Sequence, residues 1–245
     1  MGSNRRCEMA AVGARLLRDR ERVLVGVGMP NLAANLAKRL HAPDLVLVYE
    51  SGVIDAYPPE LPLSIGDPDL VRTSLCVLPI ADLFSQYLQT GWIDVGFLGG
   101  AQVDRRGNLN STVIGPYDRP KVRLAGSGGA ADVASFARRT VVLIPHDLHR
   151  FPAHLDFVTS PGHPPGTRRA GGPAHVVTDL GLLDFDSEGE MRLIGVYPGV
   201  TVSEVRERTG WPLRVASEVQ VLTPPSSDEV AVYRALAKGK EAPIG

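Results

Sequence analysis

The sequence predicts an α/β fold, an open and mostly parallel sheet with helices on both faces, ending in a C-terminal hairpin and helices. Three observations predict it. Short runs of β-branched and aliphatic residues alternate with segments whose apolar residues recur at helical spacing. Glycine-rich turns join strand to helix at two points, around Gly26 and around Gly128. The 245 residues are 44% hydrophobic and 22% charged, a mixture that buries a large core rather than staying disordered.

Taken in order, residues 7–20 carry Met9, Val12, Leu16 and Leu17 on one side and charge on the other, an amphipathic helix. Residues 22–28 form a β-branched run, after which Pro30 suits the first turn of a helix bearing Leu32, Ala33, Leu36 and Leu40. Residues 44–49 are almost continuously apolar, as in a strand covered on both faces, and end at Glu50-Ser51-Gly52. This is a β-α-β unit. The pattern recurs with a strand at 75–78, a helix at 80–89 and a strand at 93–98 that ends in Gly99-Gly100. Further strands are expected at 122–125, 141–145, 157–160 and 175–179, with a helix at 130–138. Residues 183–196 read as a hairpin turning at 186–189, and 202–208 and 228–237 as helices. No internal repeat or low-complexity tract is visible, and one domain over 1–245 accounts for the chain.

Charge and cysteine content exclude several roles. Lys+Arg 26 against Asp+Glu 27 leaves a formal charge of −1, so no global field draws the protein to nucleic acid or an anionic membrane. Arg15, Arg18, Glu21, Lys38 and Arg39 interrupt the apolar stretches before any could span a bilayer. Two cysteines, Cys7 and Cys76, cannot staple a chain of this size, so a reducing, cytoplasmic setting is expected.

Two Gly-rich helix starts and one strand-end carboxylate are the candidate chemistry. Backbone amides at Gly26-Val27-Gly28-Met29-Pro30 suit an anion or oxyanion. A dinucleotide fingerprint would need a third glycine where Asn31 stands, although Glu50 falls where a ribose-binding acid belongs, and a ligand-free tight turn stays open as well. Glu50 is delivered by a buried strand into the crevice where open α/β sheets bind ligands, with small Ser51 and Gly52 leaving room for a substrate carbonyl. A partly desolvated carboxylate there is a competent nucleophile, and a salt-bridged strand end is the alternative. Gly99, Gly100 and Gln102 begin a polar hairpin, and Gly128 and Gly129 lie in the second glycine turn, before Asp132. No metal site is expected, because His146, His149 and His154 lack a completing carboxylate or cysteine pattern. Asp184, Asp186, Glu188 and Gly189 imitate a calcium loop, but its twelfth position falls on Gly195.

These blocks resemble, essentially end to end, the β subunits of family I CoA-transferases, the glutaconate CoA-transferase group in particular. The resemblance is carried by Gly26-Val27-Gly28-Met29-Pro30, Ala42-Pro43-Asp44, Glu50-Ser51-Gly52, Gly99-Gly100-Ala101-Gln102-Val103-Asp104, Gly107-Asn108-Leu109-Asn110, Gly126-Ser127-Gly128-Gly129-Ala130 and Val158-Thr159-Ser160-Pro161-Gly162. It implies that Glu50 attacks an acyl-CoA thioester and that coenzyme A is a substrate with no tightly bound cofactor; the negative oxygen such an attack develops is expected to be stabilised by the amides around Gly26 and Gly28. It further implies a separately encoded α subunit and a small carboxylic acid as partners, in a hetero-oligomer. Members of the superfamily repurposed as hydrolases or decarboxylases make those reactions the alternative. Arg72, Arg119, Lys121 and Arg150 are candidate contacts for a substrate carboxylate.

Overall fold

The computed structural model describes residues 5–26, 28–62 and 64–237; Val27, inside the first glycine turn, lies outside them. The chain opens with helix α1 (Arg5–Arg15), strand β1 (Arg22–Val25), helix α2 (Met29–Leu40) and strand β2 (Val46–Tyr49). Short pieces follow: β3 (Val53–Ile54), α3 (Pro68–Arg72), β4 (Cys76–Val77) and α4 (Ile80–Asp82), which runs on as a π-helix (Leu83–Leu88). Next come β5 (Val95–Leu98), β6 (Gln102–Val103), β7 (Leu109–Asn110), β8 (Val113–Ile114), β9 (Val122–Arg123), α5 (Ala130–Phe136) and β10 (Arg139–Leu143). The C-terminal part is β11 (Pro173–Val177), β12 (Gly181–Phe185), β13 (Met191–Val196), α6 (Val202–Glu207), β14 (Arg214–Val221) and α7 (Ser227–Leu236).

Ten strands form one mixed sheet in the order β14-β13-β12-β11-β10-β5-β1-β2-β3-β4. Its middle, β2-β1-β5-β10-β11, is parallel. Those strands are mostly apolar because helices cover both faces; Val23, Val25, Leu47, Val48, Tyr49 and Val95 have no exposed surface. From β1 the chain steps one way, through α2, to β2. From β5 it steps the other way, through α5, to β10. Right-handed crossovers in opposite directions put α2 and α5 on opposite faces and leave a crevice above the ends of β1 and β5.

Caps fix the helix ends. Asp67 accepts the Asp69 amide at the start of α3, and Ser226 and Glu229 form a reciprocal capping box on α7. Glu229 also accepts two bonds from Arg15, at 2.8 and 2.5 Å, which tie α7 to the end of α1.

Several local expectations are corrected. The first helix stops at Arg15, followed by a turn in which Arg20 adopts φ 65°. Residues 157–160 form no strand and contribute only a bridge between Leu109 and Ser160. β9 pairs with β8 in a small sheet of its own rather than joining the main one. The expected 80–89 helix is α-helical for one turn and then widens to π. The C-terminal hairpin is β12 and β13 turning through Asp186, and β14, parallel to β13, is an additional edge strand.

Candidate active site

Glu50 occupies a tight turn rather than a plain strand end. The Gly52 amide donates to Tyr49 O at 2.9 Å, and β3 then returns antiparallel to β2. Gly52 sits at φ 95°, and its carbonyl accepts the Leu78 amide at 2.9 Å. A Cβ there would lie 1.9 Å from Leu78 O, so only glycine lets the two backbones meet while keeping that φ. Before the turn, the buried Tyr49 hydroxyl donates to Asn31 Oδ1 at 2.9 Å, and Asn35 Nδ2 donates to the same oxygen at 2.6 Å. Burial pushes the Tyr49 phenol up to about 12, so it remains a donor. The strand that delivers Glu50 is thereby fastened to the first turn of α2. Asn31, standing where a dinucleotide fingerprint requires glycine, does that fastening.

One carboxylate oxygen of Glu50, Oε1, accepts the Gly129 amide at 2.9 Å. Gly129 is the N-cap of α5, and a Cβ on it would lie 2.4 Å from Phe84 Cζ and 3.0 Å from Glu50 Oε1. The π-helix therefore presses the Phe84 ring against the amide that holds the carboxylate. Among the described residues no cation lies within ion-pair distance of Glu50. Ser51 Oγ is buried and has no hydrogen-bond partner among the described residues.

Glu50 borders two cavities. The larger, about 470 Å³, opens above the ends of the parallel strands and is walled by Leu24 and Gly26 at the end of β1, Phe97, Leu98, Gly99 and Gly100 at the end of β5, and Leu143 and Pro145 at the end of β10. Gly28, Met29, Ser111, Gly126 and Ser127 continue that wall, and Arg6 and Met9 close it from α1. Gly26, Gly28 and Gly126 have open space where a Cβ would stand, so backbone rather than side chain faces a ligand there. The smaller cavity, about 280 Å³, is lined by Glu50, Ile80, Ala81, Phe84, Gly128, Gly129 and Asp132.

Of the residues expected from sequence, Glu50, Gly26, Gly28, Gly99, Gly100, Gly128 and Gly129 meet at these two cavities, while Ser51 and Gly52 support the turn from behind. Gln102 lies off both walls. Its Nε2 donates to Asp156 at 2.9 Å and its Oε1 accepts from Asn110 at 2.7 Å, which consumes its amide in the β6–β7 scaffold. Arg72, Arg119, Lys121 and Arg150 also lie off the walls; Arg72 pairs with Asp69 and Arg150 with Asp147. Sequence reasoning missed Arg6 and Phe84. The i, i+3 spacing of Arg6 and Met9 on one helix face was the available signal for Arg6. His146 is engaged by Thr209 at 2.9 Å and Thr178 at 3.3 Å and stacks on Phe151.

A family model described as Coenzyme A transferase matches residues 7–208. The chain belongs to the coenzyme A transferase family. Over 236 residues it is 43% identical to the β subunit of 3-oxoadipate CoA-transferase from Pseudomonas knackmussii, covering 93% of this chain and 91% of that protein. It is 39% identical over 231 residues to the β subunit of glutaconate CoA-transferase from Acidaminococcus fermentans, covering 89% and 86%. Among solved structures, glutaconate coenzyme A-transferase from Acidaminococcus fermentans superimposes with a TM-score of 0.88 at 35% identity, covering 95% of this chain and 94% of that one. The decarboxylase AibA/AibB superimposes with a TM-score of 0.83 at 28% identity, covering 96% and 95%. This CoA-transferase-family chain thus shares its scaffold with proteins named for more than one reaction.

Proposed function

We propose that the chain is the β subunit of a heteromeric acyl-CoA:carboxylate CoA-transferase that moves CoA between acids through a glutamyl-CoA thioester on Glu50. The observation that carries this reading is the Glu50 carboxylate, with no counter-cation among the described residues and held through one oxygen by Gly129 N–H, on the wall of a cavity at the strand ends. The second oxygen, Oε2, is left to attack the thioester carbonyl. That attack forms a mixed anhydride and expels CoA thiolate, which attacks the Glu50 carbonyl carbon, releasing the first acid as its carboxylate and leaving the thioester on Glu50. An incoming carboxylate reverses both steps and restores free Glu50. When thiolate attacks, Oε1 becomes the developing oxyanion, and its donor is already 2.9 Å away. Amides at Gly26 and Gly28 serve the substrate oxyanion, and the apolar wall keeps water from either activated intermediate. Coenzyme A is substrate here, and no resident cofactor takes part.

An α subunit completes the site. The sheet ends at β4, where Leu75 is 77% exposed and Val71, Val77 and Ile80 are each about half exposed. An unpaired apolar edge is a liability in an isolated chain and an asset in a complex. Ile80 also lines the smaller cavity, so a partner seated on this edge reaches Glu50. No helix among the described residues is long and apolar enough to cross a membrane. Assembly in the cytoplasm suits the unbridged Cys7 and Cys76.

Mixing the co-purified pair with acyl-CoA and digesting it should yield a CoA adduct on the Glu50 peptide that borohydride or hydroxylamine removes. Glu50→Ala should lose the adduct and about 10⁴-fold or more in turnover. Unmodified Glu50 with unchanged turnover in that variant would refute the reading. The likeness to a decarboxylase favours a second reaction, hydrolysis or decarboxylation of the acyl-CoA. Product analysis with and without an added acid separates them, because only transfer gives the CoA thioester of the added acid, whereas hydrolysis releases free CoA and decarboxylation releases CO2 and a shortened acyl-CoA.

A further inference from the structure

We propose that Arg6 selects dicarboxylic acids, its guanidinium receiving the substrate carboxylate that does not react. This deepens the transferase reading and rests on it for the reaction. Of the described residues lining the larger cavity, only Glu50 and Arg6 carry charge. The rest of the wall is mostly apolar side chain, such as Met9, Phe97 and Leu143, and glycine backbone, with the hydroxyls of Ser111 and Ser127 bonded to Gly126 O and Ala131 N.

A monocarboxylic acid uses its one negative charge in the reaction at Glu50. A diacid keeps a second, at its far end, inside that apolar wall and in the same cavity as the Glu50 carboxylate. Burying it there is costly without a hydrogen-bonded counter-charge. Arg6 is the one residue on the wall that supplies it. The planar fork of a guanidinium matches a carboxylate in two parallel bonds. Arg6 has a contact of its own within the fold, and five N–H donors allow that contact and a ligand together.

Its position is well supported. Arg6 lies in the first turn of α1, whose residues Cys7 through Ala14 are buried, and Met9, one turn on, lines the same cavity. Two of the relatives are named for 3-oxoadipate and glutaconate, both dicarboxylic acids.

The test compares glutarate with valerate, a monoacid of equal chain length, as CoA acceptors for the co-purified pair. In Arg6→Gln the ratio of kcat/KM for glutarate over valerate should fall about 10²-fold, with Arg6→Lys between it and the parent. A parallel fall for both acids would assign Arg6 to coenzyme A or to the fold, and an unchanged ratio would remove it from the cavity; either overturns the proposal. A binding measurement separates this from failure of the transferase reading. Glutarate should raise the thermal midpoint of the parent protein more than valerate does, and that difference should vanish in Arg6→Gln. Its absence in the parent, or its persistence in the variant, refutes the role of Arg6 whether or not CoA is transferred.

Discussion

A carboxylate used as a nucleophile needs one oxygen fixed and the other available, and at position 50 the fixing group is a backbone amide rather than a cation. An arginine would bind the carboxylate more tightly and blunt its reactivity, whereas a neutral N–H orients it at modest cost. Gly129 is thus the residue on which the geometry depends most. Gly129→Ala adds a methyl group that collides with the Phe84 ring and crowds Glu50 Oε1. Its φ of −83° accepts alanine, so the backbone itself is not strained. We expect the fold to persist by circular dichroism while kcat falls about 10²-fold or more, the usual cost of losing one preorganised donor. Full activity in the variant would show that the amide does not matter.

At the scale of elements, the end of β10 is linked to the end of α6 through His146, which is 2% exposed. Burial pushes its imidazole down to about 3, against 6.5 when unfolded. The unfolded chain therefore takes up this proton below pH 6.5 while the folded one refuses it until about pH 3. Stability is highest above pH 6.5 and falls on acidification, by up to about 1.4 kcal/mol per pH unit from this residue. Urea unfolding at pH 7 and pH 5 should show that loss, and His146→Gln should remove about 2 kcal/mol of the difference. His163 and His175 are also pushed down by burial and keep some acid sensitivity in the variant. An unchanged acid limb in His146→Gln would refute the assignment.

Elements also show what a linear reading can and cannot find. Residues 46–49 were legible as a buried strand because their apolar run is unbroken, and the Glu-Ser-Gly that follows marked the candidate nucleophile. β14 was missed because an edge strand has no buried face to impose alternation; most of Arg214–Val221 is exposed or half-exposed. The π-helix was missed because its extra residue per turn answers to packing against α5, not to any period in residues 83–88. Arg6 reads as one more helix charge until α1 is laid beside the strand ends, a tertiary fact. Gln102 sits off the cavities for the opposite reason, since it lies in β6 and its side chain is taken up by Asn110 across the β6–β7 pair and by the distant Asp156.

For the molecule as a whole, the exposed edge at β4 decides how the chain behaves alone. Its apolar residues follow one another through α3, β4 and α4, next to the turn that carries Glu50. Leu75→Asp should weaken association with the α subunit about 10-fold or more, measured by sedimentation of the pair, because it puts a charge at the centre of a desolvated contact. The isolated variant should melt as the parent does, since a side chain 77% exposed contributes little to its own fold. Unchanged association would move the partner's seat elsewhere, the β14 edge being the other open margin.

Among the described residues, the chamber above the strand ends is lined by one guanidinium, that of Arg6, and one carboxylate, that of Glu50. With Arg6 in its proposed role, departing and arriving diacids share one berth and must queue for it, like travellers at a turnstile. On that reading an abundant acid holds the berth against the other and slows the exchange, while the direction of net transfer follows from the concentrations of both acids and both thioesters together.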